Sequence, residues 1–131
     1  MMSQDLAPPD LTPQEKEALV RRSFASYLSV DRAEIEAILH KDFTFTSPYD
    51  DHIDRAAYFE RCWPNAGLFV RLDLHDVKDA GEGCFALYEG RSKRGSSFRN
   101  VEYFRFRDGL ICEVEVFFGL EPGGKPTQPR S

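Results

Sequence analysis

Glu102 stands among aromatic residues. In "FRNVEYFRFRDG", residues 98–109, it shares alternate positions with Phe98, Phe104 and Phe106, and in a strand alternate side chains lie on one face. A carboxyl on such a face either looks into water or lines a pocket. A second carboxyl brought close to it in an apolar pocket would push at least one of the two pKa values upward, as general acid or base work requires. Asn100 shares the same alternate set, further toward the open end. In "GCFALYEGRS" Glu89 shares a face with Phe85 and Leu87, and if that face points the same way, a hairpin brings Glu89 near Glu102. The other reading leaves Glu89 in solvent at the rim, or paired with Arg91 or Arg99.

A second concentration of chemistry is "SPYDDHID", which carries Tyr49, Asp50, Asp51 and His52. A loop with acids and a His beside a pocket can supply a general base, and Asp51 is the weaker catalytic candidate after Glu102. Against this, Asx residues are ordinary turn formers and adjacent acids usually face water. Asp50, Asp51 and His52 lack a convincing third metal ligand at helical or strand spacing, so no metal is expected. Cys62, Cys84 and Cys112 form no CxxC pair and read as small buried apolar residues in a reducing compartment.

The 131 residues fit one domain. Hydrophobic residues make up 41% and include eleven Phe, which points to a folded, aromatic-rich interior rather than disorder. The formal charge is -5 with scattered basic residues, which disfavours nucleic acid as a partner. There is no signal-like N-terminal run and no stretch of about 18 apolar residues, so no membrane association and a cytoplasmic location are expected.

The elements that must position these residues follow from the periodicity. Residues 1–12 and 121–131, rich in Pro, Gly and polar residues, read as flexible ends around a single domain at 13–120. Thr12, Pro13 and Glu15 form a helix start, and Leu19, Val20, Phe24, Tyr27 and Leu28 fall on one helical face. Asp31 caps a second helix over "RAEIEAILH". "DFTFTSP" reads as a half-buried strand stopped by Pro48, followed by the polar loop, and Asp54 caps a third helix over "RAAYFERCW". From Phe69 onward the period becomes two, in four segments separated by "DAGEG", "KRGS" and "DG", the pattern of an antiparallel meander. In the last of them Cys112, Val114, Val116 and Phe118 form one face and Glu113, Glu115 and Phe117 the other. The whole is an α+β layer in which three N-terminal helices cover the concave side of a curved sheet, leaving a cone whose open end is a ready-made cavity.

With "ILHKDFTFTSP" and "VEYFRFRDGLICEVEVFFG" at this spacing, the chain resembles the nuclear transport factor 2-like superfamily, which includes ketosteroid isomerases, SnoaL-like polyketide cyclases, scytalone dehydratase and limonene epoxide hydrolase. The resemblance implies a cystatin-like cone of curved mixed or antiparallel sheet. It also carries over part of a site. The isomerase base, an Asp before the Pro that ends the first strand, falls on Ser47. The Tyr donor of the first helix falls on Ser23, with Tyr27 one turn later. Only the acid of the penultimate strand keeps its chemistry, as Glu102.

The functional expectation is a small-molecule-binding protein of SnoaL-like type, or a cofactor-free acid/base enzyme of isomerase, dehydratase or cyclase type acting on an apolar, carbonyl-bearing substrate. Glu102 would exchange the proton, and Tyr27, Phe59, Trp63, Glu89, Asn100, Val116 and Phe118 would line the cone. Two other readings compete with it: a non-catalytic binding or assembly module with a filled cone, and an epoxide hydrolase-like site requiring Glu89, Arg91 and Glu102 to converge. Tyr103 and Phe117 on the outer sheet face suggest a homodimer.

Overall fold

The computed structural model describes residues 10–120 and Gly123. The segments before residue 10 and most of 121–131, read from the sequence as flexible ends, lie outside the described residues. Helix α1 spans Pro13–Ser29, α2 Arg32–Ile38 and α3 Arg55–Arg61, the last continuing into a 3-10 helix at Trp63–Leu68. The strands are β1 (Leu39–Ser47), β2 (Asp50–Asp54), β3 (Phe69–Asp79), β4 (Gly83–Ser92), β5 (Ser97–Arg107) and β6 (Leu110–Phe118). They form one curved, unclosed sheet in the order β2-β1-β6-β5-β4-β3, with β1 parallel to β6 and every other pair antiparallel. No described helix is long and apolar enough to cross a membrane.

The helix starts follow the sequence signals. Thr12 and Glu15 complete a reciprocal capping box, and Asp31 and Asp54 cap α2 and α3 through their carboxylates, each satisfying an orphan amide of the first turn. Three boundaries differ from the sequence reading. α3 stops at Arg61, short of Cys62 and Trp63. Leu39 and His40 leave the second helix and open β1 instead. The loop "SPYDDHID" is a hairpin: a Pro48–Tyr49 turn returns the chain into β2, which pairs antiparallel with β1 through Ser47 opposite Asp50 and Phe45 opposite Ile53. Pro48 ends the strand because it cannot donate to the ladder, and the φ fixed by its ring favours the turn.

The phase of two strands also differs. In β4 the inward residues are Cys84, Ala86 and Tyr88, while Phe85 and Leu87 are exposed. Small residues at 84 and 86 let α1 approach the sheet, and Phe24 of α1 meets the Tyr88 ring edge-on at 4.6 Å. Gly90 belongs to the same adjustment, since a Cβ there would run into the Phe98 ring. In β6, Ile111 faces the core in place of Cys112. The register slips between Arg105 and Phe106, pairing Arg105 with Glu113 and Phe106 with Ile111, so Cys112 is the extra residue of a bulge.

The core occupies the narrow end of the cone, where Phe43, Phe104, Ile35, Ile38 and Ile111 are essentially inaccessible. His40, also buried, accepts the Asp42 amide at 3.0 Å on Nδ1. Its Nε2 therefore carries the proton donated to Asp108 at 2.9 Å, tying the β5–β6 turn to β1. Removal of the Phe104 ring leaves a cavity that the surrounding sheet cannot close. Phe104→Ala is expected to lower unfolding stability by about 3–5 kcal/mol, read as a fall in the urea midpoint at unchanged slope.

Candidate functional site

Above that core lies a cavity of about 480 Å³, within the size range of small-molecule sites. Its wall is largely apolar, with Phe24, Phe43, Phe45, Val114, Val116 and Phe118 among the lining residues. The cone is therefore open rather than filled. Polar groups that reach it include Ser23 and Tyr27 from α1, Ser47 from the end of β1, Asp50 from β2, Tyr58 and Arg61 from α3, Tyr88 from β4, and Asn100 and Glu102 from β5.

Register decides the contacts of Glu102. It lies opposite Ala86 on one side and Val116 on the other, and Asn100 lies opposite Tyr88 and Phe118. The Tyr88 hydroxyl donates to Glu102 Oε2 at 2.6 Å, Asn100 Nδ2 donates to the Tyr88 oxygen at 3.0 Å, and the Gly119 amide donates to Asn100 Oδ1 at 3.0 Å. The backbone donor fixes which way the Asn100 amide is turned. Glu102 is half-buried, and the surface it keeps faces the cavity.

Burial pushes the Glu102 pKa up to about 7, with the Tyr88 hydrogen bond opposing the rise. Tyr88, Tyr27 and Tyr58 are raised in turn, chiefly by burial and further by the Glu102 charge. All three phenols stay neutral donors at physiological pH. Tyr27 already donates to the Cys62 carbonyl at 3.2 Å. The Cys62 thiol is pushed up to about 12 by burial, with Asp50 adding to the shift; it is a poor nucleophile in that state.

Several candidates from the sequence stand elsewhere than expected. Glu89 is on the outer face, 3.3 Å from His75 and 3.8 Å from Arg99, because the Ala86–Glu102 register turns the odd residues of β4 outward. Arg91 follows it there and is exposed, so Glu89, Arg91 and Glu102 do not converge and the epoxide hydrolase-like arrangement loses its geometry. Phe59 and Trp63 are buried but do not line the cavity. Phe59 packs beneath the Arg32 guanidinium at 3.9 Å, and Trp63 stands behind Tyr27 at 5.6 Å. Asp51 points to solvent, its side chain 90% exposed and bonded to His52 at 2.7 Å. The hairpin turns its neighbour Asp50 inward instead, 9% exposed and 2.5 Å from Arg61.

The residues that the sequence reading missed are Tyr88, Tyr58, Arg61 and the inward placement of Asp50. The bracketing of "CFALYE" by Gly83 and Gly90 was the available signal for Tyr88, since glycines at both ends mark close backbone approach on one face. Ser23 and Ser47, reached by counting from the resemblance, both line the cavity. Among the described residues no group of three or more His, Cys, Asp or Glu is arranged to hold a metal ion.

The chain belongs to the SnoaL-like domain family, whose model matches residues 20–114. No curated protein matches the sequence. Among solved structures, it is similar to an NTF2-like protein of unknown function from Mesorhizobium loti, at 21% identity and a TM-score of 0.69, covering 85% of this chain and 96% of that one. An LEH-like epoxide hydrolase of M. tuberculosis superposes with a TM-score of 0.65 at 17% identity, covering 80% and 83% of the two chains. A de novo designed protein with a curved β-sheet reaches 0.72 at 13% identity, covering 86% and 90%. At these identities the likeness is one of fold, and a fold hosts many functions.

The raised Glu102 pKa makes a stability prediction whose sign is opposite to that of a salt-bridged carboxylate. Between the ordinary value of 4.5 and about 7, the unfolded chain has released this proton while the folded chain still holds it. The Glu102 contribution to stability therefore falls as pH rises through that window and is level above it. Glu102→Gln removes the effect, so its stability relative to the unsubstituted protein should climb by up to about 3 kcal/mol between pH 4.5 and 7. Urea titrations across that range check it; a difference that does not vary with pH contradicts the assignment.

Proposed function

We propose that the protein binds an apolar, carbonyl-bearing small molecule in the cone and carries out cofactor-free proton transfer on it. The observation that carries this reading is Glu102, a carboxyl with a pKa of about 7 facing an apolar cavity of about 480 Å³. A group that is half ionised near neutral pH serves as base in one half of a reaction and as acid in the other. Ionised Glu102 takes a proton from the carbon next to the carbonyl. The developing enolate oxygen is met by the neutral phenol of Tyr58, which shares the cavity wall and whose proton is not committed to Glu102 or to the Cys62 carbonyl. Return of the proton at another carbon completes an isomerisation, and its transfer to a hydroxyl on the β carbon, which then leaves as water while the enolate collapses to the conjugated carbonyl, completes a dehydration.

The reading can be tested without knowing the natural substrate. 2-Propionylnaphthalene in D2O should exchange its α-protons for deuterium about 100-fold or more faster in the presence of the protein than in buffer, followed by NMR. The rate should rise with pH through about 7, as the ionised form accumulates, and then level. Glu102→Gln should return exchange to the buffer rate. Exchange at an equal rate in both proteins removes Glu102 from the chemistry, and no binding of the ketone removes the pocket reading.

We also propose a homodimer through the outer sheet face. Phe85, Leu87 and Phe117 are exposed there, and the Phe85 and Tyr103 rings meet at 4.6 Å, tilted by 44°. This apolar stripe carries Glu89 and Arg99 at one end, and Arg105 with Glu113 at the other. A second copy related by a two-fold axis sets unlike charges of the two ends against each other while covering the stripe. Light scattering should give twice the chain mass for the native protein and a monomer for Tyr103→Glu; a native monomer, or an intact Tyr103→Glu dimer, rules this interface out.

A further inference from the structure

We infer that the β4–β5 turn is a second recognition station at the mouth of the cavity, where Lys93 and Arg94 take an anionic group at the far end of an elongated ligand. The inference rests on the proposed placement of the ligand carbonyl at Glu102 and adds the chemistry and the distance of the other end. It begins with how the turn is built. The Gly95 amide donates to the Ser92 carbonyl at 3.0 Å and the Ser92 amide to the Ser96 carbonyl at 2.9 Å, so Lys93 and Arg94 are the central residues of the turn. Gly95, at φ 94°, supplies the left-handed step that closes such a loop. The Ser92 and Ser96 hydroxyls meet at 2.8 Å, and both residues line the cavity. On the other side the Lys93 amide donates to the carbonyl of Leu68, another lining residue, at 2.9 Å. The turn is therefore fastened to the rim.

Its cations have no acid to balance them. From Gly90 to Val101 the chain carries Arg91, Lys93, Arg94 and Arg99 and no Asp or Glu, although the protein as a whole has a formal charge of -5. Arg99 has Glu89 at 3.8 Å. Among the described residues most Lys and Arg side chains pair with a carboxylate, whereas Arg91, Lys93 and Arg94, all exposed, do not. Like charges on adjacent residues repel, and an anion placed against both relieves the repulsion. Arg91, on the outer face of β4, adds to the positive field.

Strand β5 measures the ligand. Glu102, Asn100, Phe98 and Ser96 are alternate residues that all line the cavity, so they form one row whose ends lie about 20 Å apart along the strand. The middle of that row is apolar. Phe98 lies opposite Gly90, Gly90 opposite Leu72, and the Phe69 ring meets Phe98 edge-on at 5.7 Å. A polar arm laid there would lose its hydration without finding partners. The ligand is thus a hydrocarbon chain with a carbonyl near one end and a carboxylate or phosphate at the other.

Three ligands of one length test this: 17-hydroxyheptadecan-2-one, 16-oxoheptadecanoic acid and 16-oxoheptadecyl phosphate, which end in an alcohol, a carboxylate and a phosphate. In calorimetric titration of the native protein at low salt, at least one anion should bind about tenfold or more tighter than the alcohol, and the tighter of the two names the source of the group. Added salt should narrow the margin. In the double variant Lys93→Glu, Arg94→Glu the margin should vanish or reverse, while 2-propionylnaphthalene, too short to reach the turn, should bind as it does to the native protein. Equal affinities of the alcohol and both anions for the native protein, or an unchanged margin in the double variant, overturn the inference. In those cases α-deuteration of 2-propionylnaphthalene by Glu102 would persist, so the reading on which it rests survives separately. Failure of the long ligands alone to bind overturns the inference, and failure of 2-propionylnaphthalene as well overturns both.

Discussion

The antiparallel register of β4 against β5 is the constraint on which the site depends. Setting Ala86 opposite Glu102 and Tyr88 opposite Asn100 sends the even residues of both strands into the cone. A shift of one residue would turn every side chain of β4 to the other face. Tyr88 would then leave Glu102 without its hydrogen bond, and Glu89 would enter beside it, placing two carboxylates in one apolar site. The register is held by packing: Phe24 presses on Tyr88 from α1, and Phe98 occupies the space over Gly90. Core packing and site electrostatics are the same contacts seen from two sides.

Much of the fold could be read from the chain because its signals are local. Caps at Thr12, Asp31 and Asp54 and the period-two segments from Phe69 depend on neighbours within a few residues, and these placed the helices and the long strands. β2 could not be read, since its five residues "DDHID" have the composition of a turn and become a strand only by pairing with β1. The inward face of β4 was misjudged for a related reason. Phe85 and Leu87 are more apolar than Cys84 and Ala86, and only the presence of α1 against that face makes small residues the ones that fit.

The candidate site divides in the same way. Glu102 was recognisable because a single carboxyl on an aromatic face violates a local pattern, and Asn100, Tyr27, Val116 and Phe118 followed from periodicity or from the resemblance. The Tyr88 contact, and the choice of Asp50 over Asp51, were not recognisable, since both are set by cross-strand pairing between segments that no spacing rule joins. Adjacent acids in a hairpin face opposite ways, so a one-residue uncertainty in the strand exchanges a cavity group for a surface one. Phe59 and Trp63 show the converse: aromatic residues on the correct helix face can sit one layer behind a cavity wall.

The hydrogen-bond chain behind Glu102 runs in one direction. From the Gly119 amide through Asn100 and Tyr88 to the carboxylate, each donor points toward Glu102, and aligned donors reinforce one another. Its far end is a backbone N–H and its middle an amide, neither of which releases a proton at ordinary pH. The relay can steady charge but has no supply behind it. Any proton that Glu102 gains or loses must therefore pass by way of the cavity, since the chain behind it supplies none.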